Sequence, residues 1–207
     1  MRQGIVYLDT ETTGFVPGQI CQLSYIIEDT DGVKAKNFYF TVDKIDDGAK
    51  AVIEKDESDY RELSDGKVFW DYVDEIYEDL NDRVIVAHNS KFDMNFMSIE
   101  FWRCGYIFKP AQVLCTMKYF KDIVKIPYKT NPNKFKDPKL NEVISSLNIN
   151  TKAISEMAQQ LFNTTDDNLF HDSRFDATAM WIAVVINRIT TNTDENSELW
   201  RQKFINA

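Results

Sequence analysis

Apolar residues recur along the chain in strand-like and helix-like rhythms, and each rhythm predicts an element. Ile5-Val6-Tyr7-Leu8 is an unbroken apolar run, the pattern of a strand covered on both faces, and it predicts a central strand over Gln3–Glu11. A second strand is predicted over Gln19–Asp29 and a third over Val33–Val42, joined at Thr30-Asp31-Gly32 as a hairpin. In the third strand the period of two puts Phe38 and Phe40 on one face and Tyr39 on the other. From Ser64-Asp65-Gly66 the period changes. Phe69, Trp70, Val73, Ile76, Tyr77 and Leu80 recur at helical spacing, with Asp and Glu filling the opposite, solvated face.

Past that point short strands alternate with helices. Arg83–Ala87 and Gln112–Cys115 read as strands. Phe92–Arg103 reads as a helix stopped by Gly105, and Met117–Val124, Pro138–Leu147, Ser155–Phe162 and Phe175–Ile189 read as further helices. Residues 43–66 are acidic and irregular, with room for one short helix. Lys125–Lys139 carries Pro127, Pro132 and Pro138 and reads as a loop, and Asn163–Asn168 is a polar break. Strands first and helices alternating with strands afterwards predict an α/β fold, a mixed sheet with helices on both faces. Residues 1–190 are expected to form one domain and 191–207 a polar tail.

Composition refines this picture. The 207 residues are 43% hydrophobic and 28% charged, a globular balance with enough chain for a sizeable core. No apolar run is long enough to cross a membrane, the first residues do not read as a signal peptide, and Cys21, Cys104 and Cys115 are scattered. A cytoplasmic protein with no membrane partner is expected. The net charge of −9 argues against a protein that grips long nucleic acid along its whole surface. Residues 43–82, however, hold 15 acids and 5 bases, so the remainder is nearly neutral. Within that remainder, Lys125, Lys129, Lys134, Lys136 and Lys139 share one segment with Tyr128 and Phe135, and Asp137 is its only acid. That composition suits either single-stranded nucleic acid or plain solubility.

The chemistry begins where the first strand ends. Asp9 and Glu11 are two residues apart on a strand and so share a face, at the carboxyl end where open α/β sheets carry their sites. Two close carboxylates repel and need a cation between them; the pair fits either a divalent-metal site or a structural ion pair. Asp93, in Ala87-His88-Asn89-Ser90-Lys91-Phe92-Asp93, falls near a strand end and a helix start, where alone it would read as ordinary first-turn charge. Asp176, in His171-Asp172-Ser173-Arg174-Phe175-Asp176, lies beside the apolar face of the last helix, and His171 precedes that helix in a loop.

Taken in order, Asp-Thr-Glu-Thr-Thr-Gly, His-Asn-Ser-Lys-Phe-Asp and His-Asp-Ser-Arg-Phe-Asp resemble the three motifs of the DEDD 3′–5′ exonuclease superfamily. The histidine with four residues between it and the last Asp resembles the DEDDh branch. That branch includes the proofreading epsilon subunit of bacterial replicative polymerase, oligoribonuclease and ribonuclease T. The stretch 150–170 is longer than the usual spacer of that family. The resemblance implies a ribonuclease H-like fold and a two-metal phosphodiester hydrolase. Asp9, Glu11, Asp93 and Asp176 would hold two divalent ions, Mg²⁺ or Mn²⁺. Asp9 would bridge them, Glu11 and Asp176 would complete the ion that activates water, Asp93 would support the other, and His171 would be the general base. Thr12, Thr13, Phe15 and Asn89 would touch the substrate, although Phe15 also suits ordinary packing and Asn89 a helix cap. The implied partners are single-stranded DNA or RNA 3′ ends. The resemblance also allows a polymerase or a homodimer mate. DNA trimming or proofreading is the expected activity. The alternatives are an exoribonuclease or oligoribonuclease, an internally cutting nuclease of the same broad fold, and a non-catalytic binding module.

Overall fold

The computed structural model describes residues 4–15, 18–166 and 172–189. Its centre is a five-stranded sheet in the order β3-β2-β1-β4-β5. The strands are β1 Ile5–Thr12, β2 Ile20–Asp29, β3 Gly32–Tyr39, β4 Val84–Ala87 and β5 Gln112–Cys115. The first three are antiparallel neighbours, while β4 runs parallel to β1 and β5 parallel to β4. The helices are α1 Asp47–Ile53, α2 Glu57–Leu63, α3 Val73–Leu80, α4 Ser90–Arg103, α5 Thr116–Val124, α6 Leu140–Ser146, α7 Thr151–Phe162 and α8 Ser173–Ile189. Among the described residues no helix is long and apolar enough to cross a membrane.

Strand alternation divides the core in two. Val6 and Leu8 of β1 face α3 and α4 and pack with Ile76, Leu80, Phe96 and Phe101. Tyr7 faces the other way and packs with Phe120 of α5, Val143 of α6, Ile154 of α7 and the apolar side of α8. Phe38 and Phe40 join the first of these cores and Tyr39 does not, as the period of two requires. A smaller cluster of Cys21, Val42, Ile45, Ile53 and Tyr60 seats α1 and α2 against the sheet edge.

Four segments depart from the sequence expectation. The acidic stretch expected to be irregular holds two helices, of which α2 is started by Asp56. That carboxylate accepts from the backbone N–H groups of Ser58 and Asp59 while Asp59 accepts in return from Asp56 N–H. The helix expected from residue 64 opens as a 3₁₀ turn over Phe69–Tyr72 and becomes α-helical only at Val73. The loop expected over Lys125–Lys139 contains a hairpin, β6 Pro127–Tyr128 and β7 Asn131–Phe135. Among the described residues its strands pair only with each other, and they are largely exposed, so no apolar alternation betrays them. Helix α7 also begins earlier than expected, because the Asn150 side chain accepts from the Lys152 and Ala153 N–H groups and fixes its start. The expected C-terminal tail, 191–207, lies outside the described residues.

Candidate active site

The residues that follow Tyr7 on its side of β1 are Asp9 and Glu11, so both carboxylates turn towards α8. Across the ladder Asp9 faces Ser24 and Glu11 faces Gln22, two polar side chains wholly buried within an otherwise apolar strand. The register shifts between Glu11 and Thr12, which ends regular pairing at the site. Burial raises the Asp9 carboxyl well above its ordinary range, and the charges of Asp176, Asp93, Glu11 and Asp172 push it the same way. Burial also raises Glu11, reinforced by Asp176 and Asp172, while Lys55 from the α1–α2 connection opposes the shift.

Asp93 arrives from the opposite face of the sheet. After β4 the chain turns sharply through Asn89, which adopts φ 72°, and enters α4. His88 anchors this turn: its ring nitrogens lie 3.0 Å from Thr116 Oγ1 and 3.0 Å from the carbonyl oxygen of Pro138. The Pro138 carbonyl can only accept, so Nε2 carries a proton and donates it there. Asp93 is 2% exposed and accepts a 2.9 Å hydrogen bond from Thr10 Oγ1, the β1 residue that points to the α4 side. Burial pushes its carboxyl up to about 7, although the Thr10 hydrogen bond lowers it.

The third segment is the start of α8, where Asp176 is partly buried in the first turn. Sequence reasoning missed the residues that dock this helix. Asp172 is 2% exposed and is gripped at both oxygens by the Arg174 guanidinium, at 2.8 Å each. It also accepts from Gln22 Nε2 at 2.9 Å, and Ser173 Oγ lies 2.6 Å from Ser24 Oγ. Burial alone would raise Asp172, but the Arg174 hydrogen bonds and charge hold it below the usual carboxylate range. Gln22 and Ser24 thus tie α8 to the strand facing Asp9 and Glu11. The signal was present as an acid and a base two residues apart at the mouth of an apolar helix. His171 lies outside the described residues.

Beside the carboxylates opens a cleft of about 150 Å³. Thr10, Glu11 and Thr12 line one side, Ala49, Val52 and Ile53 of α1 another, and Phe15 and Phe92 complete it. Phe15 is 91% exposed, so the core does not hold its ring. The loop that carries it runs close under α1, where a Cβ at Gly14 would collide with the Asp46 carboxylate. Thr12 lines the cleft and donates its hydroxyl to the Gly14 carbonyl. Thr13 does not line it: its side chain is buried and its hydroxyl oxygen accepts from Gln19 N–H. Asn89 makes no helix-capping hydrogen bond and lines a shallower neighbouring depression with Lys91, Phe92, Met94 and Asn95.

Asp9, Glu11, Asp93 and Asp176 therefore share one neighbourhood, supplied by β1, α4 and α8, and Thr12 and Phe15 border it. Among the described residues no three acid, histidine or cysteine side chains close tightly enough to cage an ion as they stand. Mutual repulsion and desolvation oppose such closure until a counter-charge sits between them. The donor set is entirely hard carboxylate oxygen, which fits a divalent cation such as Mg²⁺ or Mn²⁺ and not a soft one.

A mixed sheet carrying carboxylates at the end of its central strand defines an α/β protein of the ribonuclease H-like class. The sequence model of the RNase T exonuclease family matches residues 6–180, and the chain belongs to that family of DEDD-type 3′–5′ exonucleases. E. coli exonuclease I in complex with a dT13 oligonucleotide superposes with a TM-score of 0.64, covering 92% of this chain and 42% of that one at 14% identity. A second exonuclease I structure gives 0.65 at 15% identity, covering 97% of this chain and 43% of that one. At such identities the likeness is one of fold. The 3′–5′ exonuclease DinG of Staphylococcus haemolyticus is 46% identical over 59 residues, 28% of this chain and 7% of DinG. The chain thus matches a small part of the DinG proteins and under half of exonuclease I. Divalent metals are general to the exonuclease family, and one exonuclease I–single-stranded DNA structure is a zinc-bound form.

Proposed function

We propose that this chain is a metal-dependent 3′–5′ exonuclease that removes nucleoside 5′-monophosphates from the 3′ ends of single-stranded or frayed DNA. The carrying observation is the convergence of Asp9, Glu11, Asp93 and Asp176 from three distant segments into one buried, mutually repelling cluster. A scaffold gains nothing from such repulsion, whereas a site that loads divalent cations requires it. Two Mg²⁺ or Mn²⁺ ions bound there would supply Lewis-acid charge for the attacking and leaving oxygens of the phosphodiester. Asp9 stands centrally, affected by each of the other three, which suits a bridging ligand. Thr10 fixes Asp93, and the Asp172–Arg174 pair fixes the helix that carries Asp176. Phe15, Phe92 and Val52 offer apolar walls for the terminal base, and Thr12 borders the same cleft. His171, five residues before Asp176, is assigned the proton-accepting role because an imidazole titrates near neutral pH.

The DNA assignment draws on the DinG and exonuclease I relatives, one of which was crystallised with dT13. Residues 1–190 are read as the exonuclease domain. The unpaired cysteines support a reducing, cytoplasmic setting. The test is degradation of matched 3′-labelled DNA and RNA oligonucleotides and of circular single-stranded DNA, with and without chelator. Loss of nucleotides one by one from linear DNA, abolished by chelator and restored by Mn²⁺, is expected, with the circle untouched. Asp9→Ala should drop turnover by orders of magnitude while the fold persists. Unimpaired degradation by that variant would remove the cluster from the chemistry, and faster loss from RNA would reassign the substrate.

A further inference from the structure

The β6–β7 hairpin has no evident duty in the fold. Isolated two-stranded hairpins are marginal in water, and this one presents Tyr128, Lys129, Asn131, Asn133 and Lys134 to solvent. What holds it is its base. Lys136 N–H donates to the Ile126 carbonyl at 2.8 Å, and the Pro138 carbonyl accepts from His88. His88 directly follows β4, which runs parallel to β1, so the hairpin rises from the end of the sheet that carries Asp9 and Glu11. His88 is also five residues from Asp93 along the chain.

The cations of this segment fall into two groups. Lys118 and Lys121 both pair with Asp137, and Lys136 pairs with Glu142 at 2.6 Å, so the nearby acids are engaged. Lys125, Lys129 and Lys134 are exposed and have no ion-pair partner among the described residues, while the charge of Lys139 acts on Glu142. Three uncompensated positive charges therefore sit at the site end of a protein whose net charge is −9. An anionic strand is repelled by the acidic segment 43–82 and drawn to this side. Tyr128 lies between Lys125 and Lys129 in the chain and is 43% exposed.

We propose that the hairpin is a strand guide. Lys125, Lys129 and Lys134 contact the phosphates of single-stranded nucleic acid upstream of the 3′ end held in the cleft, and Tyr128 offers its ring to a base. This rests on the exonuclease reading. A trinucleotide engages the cleft with little strand left for the hairpin, whereas a 20-mer engages both.

The test compares the parent with the triple variant Lys125→Ala/Lys129→Ala/Lys134→Ala. Binding of a 20-mer is measured in chelator across a salt series, and hydrolysis of a 20-mer and of a trinucleotide is measured with Mn²⁺. Three lost phosphate contacts should flatten the slope of log affinity against log salt by about 2. The 20-mer KM should rise about tenfold or more while trinucleotide kcat and KM stay put, and Lys→Arg replacements should restore the parent behaviour. Tyr128→Ala should weaken 20-mer binding by about fivefold or more without changing the salt slope. An unchanged slope and KM in the triple variant, or equal losses on both substrates, overturns the guide. If the parent hydrolyses neither substrate, the exonuclease reading fails instead, and the chelator binding slopes still decide the hairpin's role.

Discussion

Replacing Asp93 by Asn should make the metal-free protein more stable while making it a poorer enzyme. The exchange is nearly isosteric, and the amide oxygen keeps the hydrogen bond from Thr10 Oγ1, now 2.9 Å. What changes is charge. Burial pushes the Asp93 carboxyl from 3.8 up to about 7 in the folded chain. A carboxyl with a raised folded pKa favours the unfolded state at any pH above its unfolded value, and the effect is complete once pH exceeds the folded value. Roughly three units correspond to about 4 kcal/mol at pH 8, and less than half of that remains at pH 5. For a chain of this size the pH 8 figure is a Tm gain of about 8–16 °C. Calorimetry in chelator at pH 8 and pH 5 reads this directly. Adding Mn²⁺ should stabilise the parent far more than Asp93→Asn, because only the parent offers the ion its full set of charges. Turnover of the variant should fall by orders of magnitude. A metal-free variant no more stable than the parent at pH 8, or a gain of the same size at both pH values, would refute the view that these carboxylates are held in repulsion.

Two further outcomes follow from the same neighbourhood. Arg174→Met should strand Asp172 as a buried, unpaired charge and lower stability by about 3–5 kcal/mol, with Asp172→Asn in the same chain recovering much of the loss; thermal melts of the single and double variants check it. Because Asp172 titrates below its ordinary range when folded, the pair stabilises above pH about 4 and its contribution is lost as acid protonates it, so the double variant should lose less stability than the parent as pH falls below about 4. Phe15→Ala should leave the melting temperature unchanged, since the ring is almost fully exposed, and should raise KM for single-stranded DNA by about fivefold or more.

The parts of this architecture written as periodic patterns were legible in the sequence. The apolar run before Asp9 located the central strand, and the period of two placed Asp9 and Glu11 on one face, which the structure shows is the α8 face. Asp93 was legible only as a member of its motif, because taken alone it looks like common first-turn charge, whereas Asp176 already stood out beside the apolar face of its helix. What stayed hidden depends on partners far away in the chain. Nothing local says that Thr10 holds Asp93, or that Gln22 and Ser24 are buried because Asp172 and Ser173 come to meet them. The hairpin stayed hidden for the opposite reason. It has no apolar face, so its pairing leaves no trace in the order of its residues.

The tie between Gln22 and Asp172 spans 150 positions. A ribosome must therefore deliver nearly all of the described chain before the acids of β1 can meet the acid of α8. Until α8 docks, the emerging polypeptide holds the carboxylates of β1 and α4 without Asp176, and the four-carboxylate cluster is incomplete. On the proposed reading, a chain cut short before α8 would lack one of the four metal-binding carboxylates, so completion of the site waits on chain order alone.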